Sequence, residues 1–181
     1  LSHSLNITDE EKFKKQYYKM WENILNHFEE RIVTYEEVLK FIKEQMPILY
    51  NNSVAPEELF EAVKQEKENI AKLNEEAKVV LEYAKERGIE NIAVTDWFKE
   101  HQKSALRKMG VLSFFEKIYA CDNGYFKNSK GKIAELEKEL EGREKFEIIL
   151  IGDSLTSDIH FAERLGVRSV WYNPNGKENT T

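Results

Sequence analysis

The sequence predicts an α/β fold in which a helical module precedes a parallel sheet, and two textures along the chain predict it. Up to Arg87 apolar residues recur at three- and four-residue spacing, the period of a helix that buries one face. After Gly88 four short apolar runs, at 92–94, 118–120, 148–151 and 169–171, alternate with helical stretches, and strands alternating with helices build a parallel sheet. The two modules divide at about residue 73, giving 1–73 as helical and 74–181 as α/β.

The first helix is predicted from Thr8 to about Glu30, because Phe13, Tyr17, Met20, Trp21, Ile24, Leu25 and Phe28 share one face. Thr34 starts the second: its hydroxyl can cap while Glu37 reaches back in a capping box, and Pro47 stops the helix. A loop over 50–55 follows. Pro56 then opens a third helix in its first turn, and a fourth runs from about Glu75 to Arg87 with Gly88 as its stop. Of the strands, 148–151 is apolar on both alternating faces, which predicts a central strand covered by helices on each side.

A chain of 181 residues suits one domain, or a small domain carrying an inserted module, and two unrelated catalytic domains would not fit. The net charge of -6 is spread without long blocks of either sign, which argues against a nucleic-acid binder. Cys121 is the single cysteine, so no intramolecular disulfide can form, and a reducing compartment, the cytoplasm by default, is expected. No apolar run approaches the roughly 20 residues of a membrane span, and no membrane partner is expected.

Ligands of open parallel sheets bind just beyond the carboxyl ends of strands. There the chain carries Gly152-Asp153-Ser154-Leu155-Thr156-Ser157-Asp158. The glycine permits a tight turn, Asp153 sits at the strand's end, and Asp158 follows about a helical turn later. Two carboxylates converging there suit Mg²⁺, a hard cation that keeps several waters and takes few protein ligands. On these residues alone an equal reading is a strand end followed by a helix capped by Thr156 or Asp158 and stopped by Gly166. Thr95-Asp96 ends the first strand, where a hydroxyl and backbone N–H groups could hold a phosphoryl oxygen or merely cap a helix. Lys127, after the second strand, is by itself an ordinary solvated lysine.

Taken in order, Thr95, Lys127 and Gly152-Asp153 with Asp158 resemble three of the four motifs of the haloacid dehalogenase-like hydrolases. The stretch from Ile151 to Ile159, with Gly166-Val167 and Trp171-Tyr172-Asn173-Pro174, looks most like the nucleotidase-type branch with a helical cap. The resemblance implies a Rossmann-like sheet with residues 1–73 as the cap, and a phosphomonoester hydrolase working through an aspartyl-phosphate. Asp153 and Asp158 would then serve the Mg²⁺ site, Asp158 also supporting catalysis. Thr95 and Asp96 would lie at the substrate phosphate. Lys127 would neutralise nucleophile and phosphate, a point-charge task suited to an ammonium. The implied substrate is a nucleotide or a small phosphorylated metabolite; oligomeric state is left open.

The chain departs from that pattern in places. Asn128 follows Lys127 where proline is common, and Lys130 is a rival for its role. Asp96-Trp97 stands where a small or amide residue and glycine are usual, so that Trp97 could narrow the pocket. No strand ends in the Asp-x-Asp that would supply the nucleophile. In the family that strand is first and central, between the strands at 148–151 and 92–94, and without it rows of buried backbone groups would go unpaired at about 1–3 kcal/mol each. The expectation is therefore a longer hydrolase, shortened here at both ends and inactive in this form. The alternative is a non-catalytic relative that binds a partner. The stripe of Phe13, Tyr17, Trp21 and Phe28 is read as core, and His27, His101 and His160 as surface or boundary residues.

Overall fold

The computed structural model describes residues 1–174 and Gly176; Asn175 and 177–181, the end of the expected second module, lie outside the described residues. Among the described residues the order is α1 (Glu10–His27), α2 (Tyr35–Gln45), α3 (Pro47–Asn51), α4 (Pro56–Ile70), α5 (Glu75–Glu86), β1 (Ile92–Val94), α6 (Lys99–Lys108), β2 (Lys117–Tyr119), α7 (Lys130–Glu139), β3 (Ile149–Gly152), α8 (His160–Leu165) and β4 (Arg168–Trp171). Two compact units divide the chain, one from Leu1 to Tyr125 and one from Phe126 onward. No helix is long and apolar enough to cross a membrane among the described residues.

In the first unit, Asp9 caps α1 by accepting from the Lys12 N–H. Phe13, Met20 and Ile24 of the helix and Phe28 just beyond it are buried, whereas Leu25 is exposed at the stripe's edge. Thr34 caps α2 through the Glu37 N–H, but the expected reciprocal reach differs: the Thr34 hydroxyl donates to the Glu37 carboxylate at 2.9 Å. Pro47 ends α2 and, fitting the first turn of a helix, begins α3, so part of the loop expected at 50–55 is helical. Gly88 closes α5 at a φ of +66°, in the left-handed region.

β1 pairs in parallel with β2, register Ala93 to Ile118, and β3 with β4, register Leu150 to Ser169. The parallel pairing expected from the alternation is present, as two two-stranded sheets among the described residues. Among the described residues β3 has one strand neighbour, β4. Its alternating faces differ: Gly152 on one meets the turn that follows the strand, while Ile149 and Ile151 on the other are exposed at 49% and 59%. Covering helices on both sides were the expectation, and one side lacks them among the described residues.

Candidate active site

In the second unit the carboxyl end of β3 delivers Gly152 and Asp153 into a turn. Ser154 accepts from the Ser157 N–H and so caps a one-turn π-helical segment, Leu155–Ile159, that leads into α8. Ser154, and neither Thr156 nor Asp158, is therefore the cap, since its hydroxyl is the one that reaches the segment's free N–H. Asp158 is buried and points back over the strand end. Its Oδ2 accepts from the Ser154 N–H at 3.1 Å and its Oδ1 from the Lys127 ammonium at 2.5 Å. The side chains of that ion pair are only 12% and 11% exposed.

Gly152 is what permits this arrangement. A Cβ there would lie 2.3 Å from the Asp158 Cβ and 2.4 Å from its carboxylate, so a side chain and the Asp158 side chain cannot share the space. Asp153 is exposed at the strand end, and its carbonyl accepts from the Trp171 indole N–H at 3.1 Å, tying the turn to β4. Of the two rival lysines, Lys127 makes the ion pair with Asp158, while Lys130 opens α7 and is exposed. Asn128 donates to the Thr156 carbonyl at 3.2 Å, and Arg164 donates to the Asn128 carbonyl.

The donor set accommodates Mg²⁺ in part. The exposed carboxylate of Asp153 is the kind of single protein anchor that Mg²⁺ supplements with water and phosphate oxygens. Asp158 has both oxygens engaged by a cation and a backbone N–H. Among the described residues no group of three or more His, Cys, Asp or Glu side chains is arranged to hold a metal by itself.

Thr95 and Asp96 lie in the first unit. The Thr95 N–H donates to the Tyr119 carbonyl at 2.9 Å, carrying the β1–β2 pairing one residue further. Its hydroxyl accepts from the Trp97 N–H at 3.2 Å, a local turn rather than a helix cap. The start of α6 is instead satisfied by Asp122, 23 residues away, which accepts from the Lys99 N–H at 2.6 Å.

Trp97 turns into an aromatic cluster, 4.8 Å from Trp21 and stacked at 6.2 Å on Phe60, with the Lys67 ammonium 3.7 Å above its ring. Burial pushes the Lys67 amine below its ordinary range. The indole N–H donates to Nδ1 of His101 at 2.9 Å. His101 is buried and not a boundary residue, because Phe60 and Phe98 pack on it and the indole needs an acceptor. The same burial lowers its pKa to about 4. It is therefore neutral near pH 7, as an accepting Nδ1 requires.

Sequence reasoning missed Ser154, Trp171, Arg164, Asp122 and His101. A serine just before a helical run is a readable cap signal. The others act across 18 or more residues of chain, or from inside a cluster, and have no local signature.

The haloacid dehalogenase-like hydrolase family model matches residues 7–172, most of the chain, so the chain belongs to that family. It is similar to the pyrimidine 5'-nucleotidase PynA of Streptococcus pneumoniae, 28% identical over 97 residues, which are 53% of this chain and 41% of that protein. It is also similar to YfnB of Bacillus subtilis, described as a HAD-hydrolase, 31% identical over 87 residues, 48% of this chain and 37% of that one. The matches thus span about two-fifths of the length of these relatives. In three dimensions the fold resembles a magnesium-bound crystal form of YfnB, with a TM-score of 0.72 at 22% identity, over 97% of this chain and 79% of that one. A HAD phosphatase from Thermococcus onnurineus gives a TM-score of 0.55 at 21% identity, over 99% and 76%.

Proposed function

We propose that these residues form the metal and phosphate side of a magnesium-dependent phosphomonoester hydrolase working through an aspartyl-phosphate. The observation that carries this reading is the Lys127–Asp158 ion pair, seated on Gly152 beside the exposed Asp153 at the carboxyl end of β3. Residues 1–73 act as the helical cap and 74–181 as the core, and the protein works in the cytoplasm. A nucleotide is the favoured substrate, because PynA is a pyrimidine 5'-nucleotidase; a small phosphorylated metabolite is the broader class.

Asp153 would hold Mg²⁺, which when bound offsets the negative charge of phosphate and nucleophile. Lys127 presents its ammonium to the same charge, and Asp158 fixes where that ammonium sits. Fixing matters because a preoriented cation needs no reorganisation as charge builds up in the transition state. Thr95, whose hydroxyl accepts from the Trp97 N–H and keeps its own proton to donate, is assigned with Asp96 to the substrate phosphate. The 181 residues contain no Asp-x-Asp, so turnover is proposed only for a protein in which a strand ending in that motif is joined to them, and the chain alone is inert. The second reading is a non-catalytic binding protein built on this fold.

The test is hydrolysis of p-nitrophenyl phosphate and of a pyrimidine monophosphate, with and without Mg²⁺, by the chain alone and by a protein with the apolar Asp-x-Asp strand joined upstream. Metal-dependent turnover in the second alone supports the hydrolase. A folded second protein that binds phosphate without turning over an ester supports the binding reading.

A further inference from the structure

We propose that Asn128 and Arg164 are positioning residues, forming a latch that holds the Lys127 turn onto the Asp158 turn; the inference rests on the reading of Lys127 and Asp158 as part of the phosphate site. Lys127 and Asn128 are the two central residues of a turn whose ends are fixed. The Ser129 N–H and hydroxyl both go to the Phe126 carbonyl, at 3.1 and 2.8 Å, and both end residues are buried. Between those ends the orientation of the Lys127 side chain depends on what grips the middle of the turn.

Asn128 is gripped twice. Its side-chain amide donates to the Thr156 carbonyl at 3.2 Å, which is a bond to the π-helical segment that also carries Asp158. Its own carbonyl accepts from the Arg164 guanidinium, which comes from α8, the helix that segment leads into. Both bonds therefore run from the lysine's turn to the π-helical segment that bears its carboxylate and to the helix that follows it. Asn128 and Arg164 are exposed, and neither packs in the core. Their role is to restrict the turn so that the ammonium of Lys127 stays on Asp158 and does not swing into solvent. An asparagine is needed because its amide supplies a donor directed at a carbonyl, which neither proline nor aspartate can do.

Solvent access of the Lys127 amine reads this latch without needing turnover. The native chain and its variants are acetylated with an N-hydroxysuccinimide ester at one neutral pH, and the rate at each lysine is read by peptide mass spectrometry. Lys132, 1% exposed on α7, is the internal control, since unfolding would release it together with Lys127. Asn128→Asp, nearly isosteric but without the donor, and Arg164→Gln are each expected to raise the Lys127 rate about fivefold, the size of losing one local hydrogen bond in a low-stability turn, with Lys132 unchanged. Arg164→Lys, which keeps a cationic donor, is expected to restore most of the shielding, a rescue that mere loss of bulk would not give.

Asp158→Asn is run alongside. If it exposes Lys127 while Asn128→Asp and Arg164→Gln do not, the latch is refuted and the ion pair stands. If Asp158→Asn leaves the Lys127 rate unchanged, the ion pair does not hold the amine and the latch falls with it. Because no arm uses catalysis, a failed hydrolase assay and a failed latch are separate results.

Discussion

Gly152→Ala is the substitution that probes the site's construction most sharply. The added methyl would sit 2.3 Å from the Asp158 Cβ and 2.4 Å from its Cγ and Oδ2, well inside contact distance of atoms close to the backbone. The neighbour is not the tip of a flexible side chain, so the conflict has two outlets. The strand end can shift, an overpacking cost of about 1–3 kcal/mol. Alternatively Asp158 can be driven from its place, giving up the Lys127 and Ser154 bonds, where a hydrogen bond to a charged group contributes about 1.5–3 kcal/mol. The less costly route sets the loss, about 2–3 kcal/mol in the second unit. With a urea dependence of about 1–2 kcal/mol per molar, the midpoint should fall by about 1.5 M. Urea titration followed by circular dichroism measures it, and acetylation of Lys127 reports which outlet is taken. A variant as stable as the native chain, with Lys127 still shielded, would refute the claim that Asp158 needs a bare backbone at residue 152.

Lys127→Met should leave the Asp158 carboxylate buried without its cation and cost about 3 kcal/mol, most of it recovered when combined with Asp158→Asn; a urea double-mutant cycle gives the coupling, and strict additivity would contradict the ion pair. His101 has a folded pKa of about 4 against an ordinary 6.5, so below pH 6.5 the unfolded chain binds the proton first. Stability should fall as pH drops from 6.5 to about 4, by about 3 kcal/mol, and His101→Gln should flatten that part of the curve; parallel curves would show that the histidine is not buried neutral. Trp171→Phe should remove the bond to the Asp153 carbonyl at a cost of about 1 kcal/mol and, in a protein with an upstream Asp-x-Asp strand, raise the Mg²⁺ concentration needed for half-maximal activity, whereas an unchanged metal dependence would show that Asp153 is oriented without it.

The helices were legible because their signals are local. The spacing of Phe13, Met20 and Ile24, the Thr34 cap, Pro56 at a first turn and Gly88 at a left-handed stop each act within a few residues. The strands were legible as apolar runs, to within a residue or two at their ends. Which strand pairs with which was not, because pairing depends on which strands meet and not on what each contains. At the turn after β3, Gly152, Asp153, Asp158 and Lys127 were singled out through the family resemblance, in whose motifs they fall. The direction of the Asp158 side chain could not: whether it turns outward or folds back over Gly152 is set by the π-helical turn and by Lys127, 31 residues away. Trp97 shows the same limit. Its position beside Thr95 suggested a plug in the pocket, and its actual contacts are Trp21, Phe60 and His101, fixed by packing among helices far apart in sequence.

The most direct test of the account is the rate of p-nitrophenyl phosphate hydrolysis by the chain joined to an upstream apolar strand ending in Asp-x-Asp, compared with the same protein carrying Asp153→Asn. The account predicts Mg²⁺-dependent turnover that falls by at least about a hundredfold in the variant, the scale of losing one preorganised electrostatic group. Equal turnover in the two proteins, or turnover indifferent to Mg²⁺, would contradict the assignment of the β3 end as a metal-assisted phosphate site.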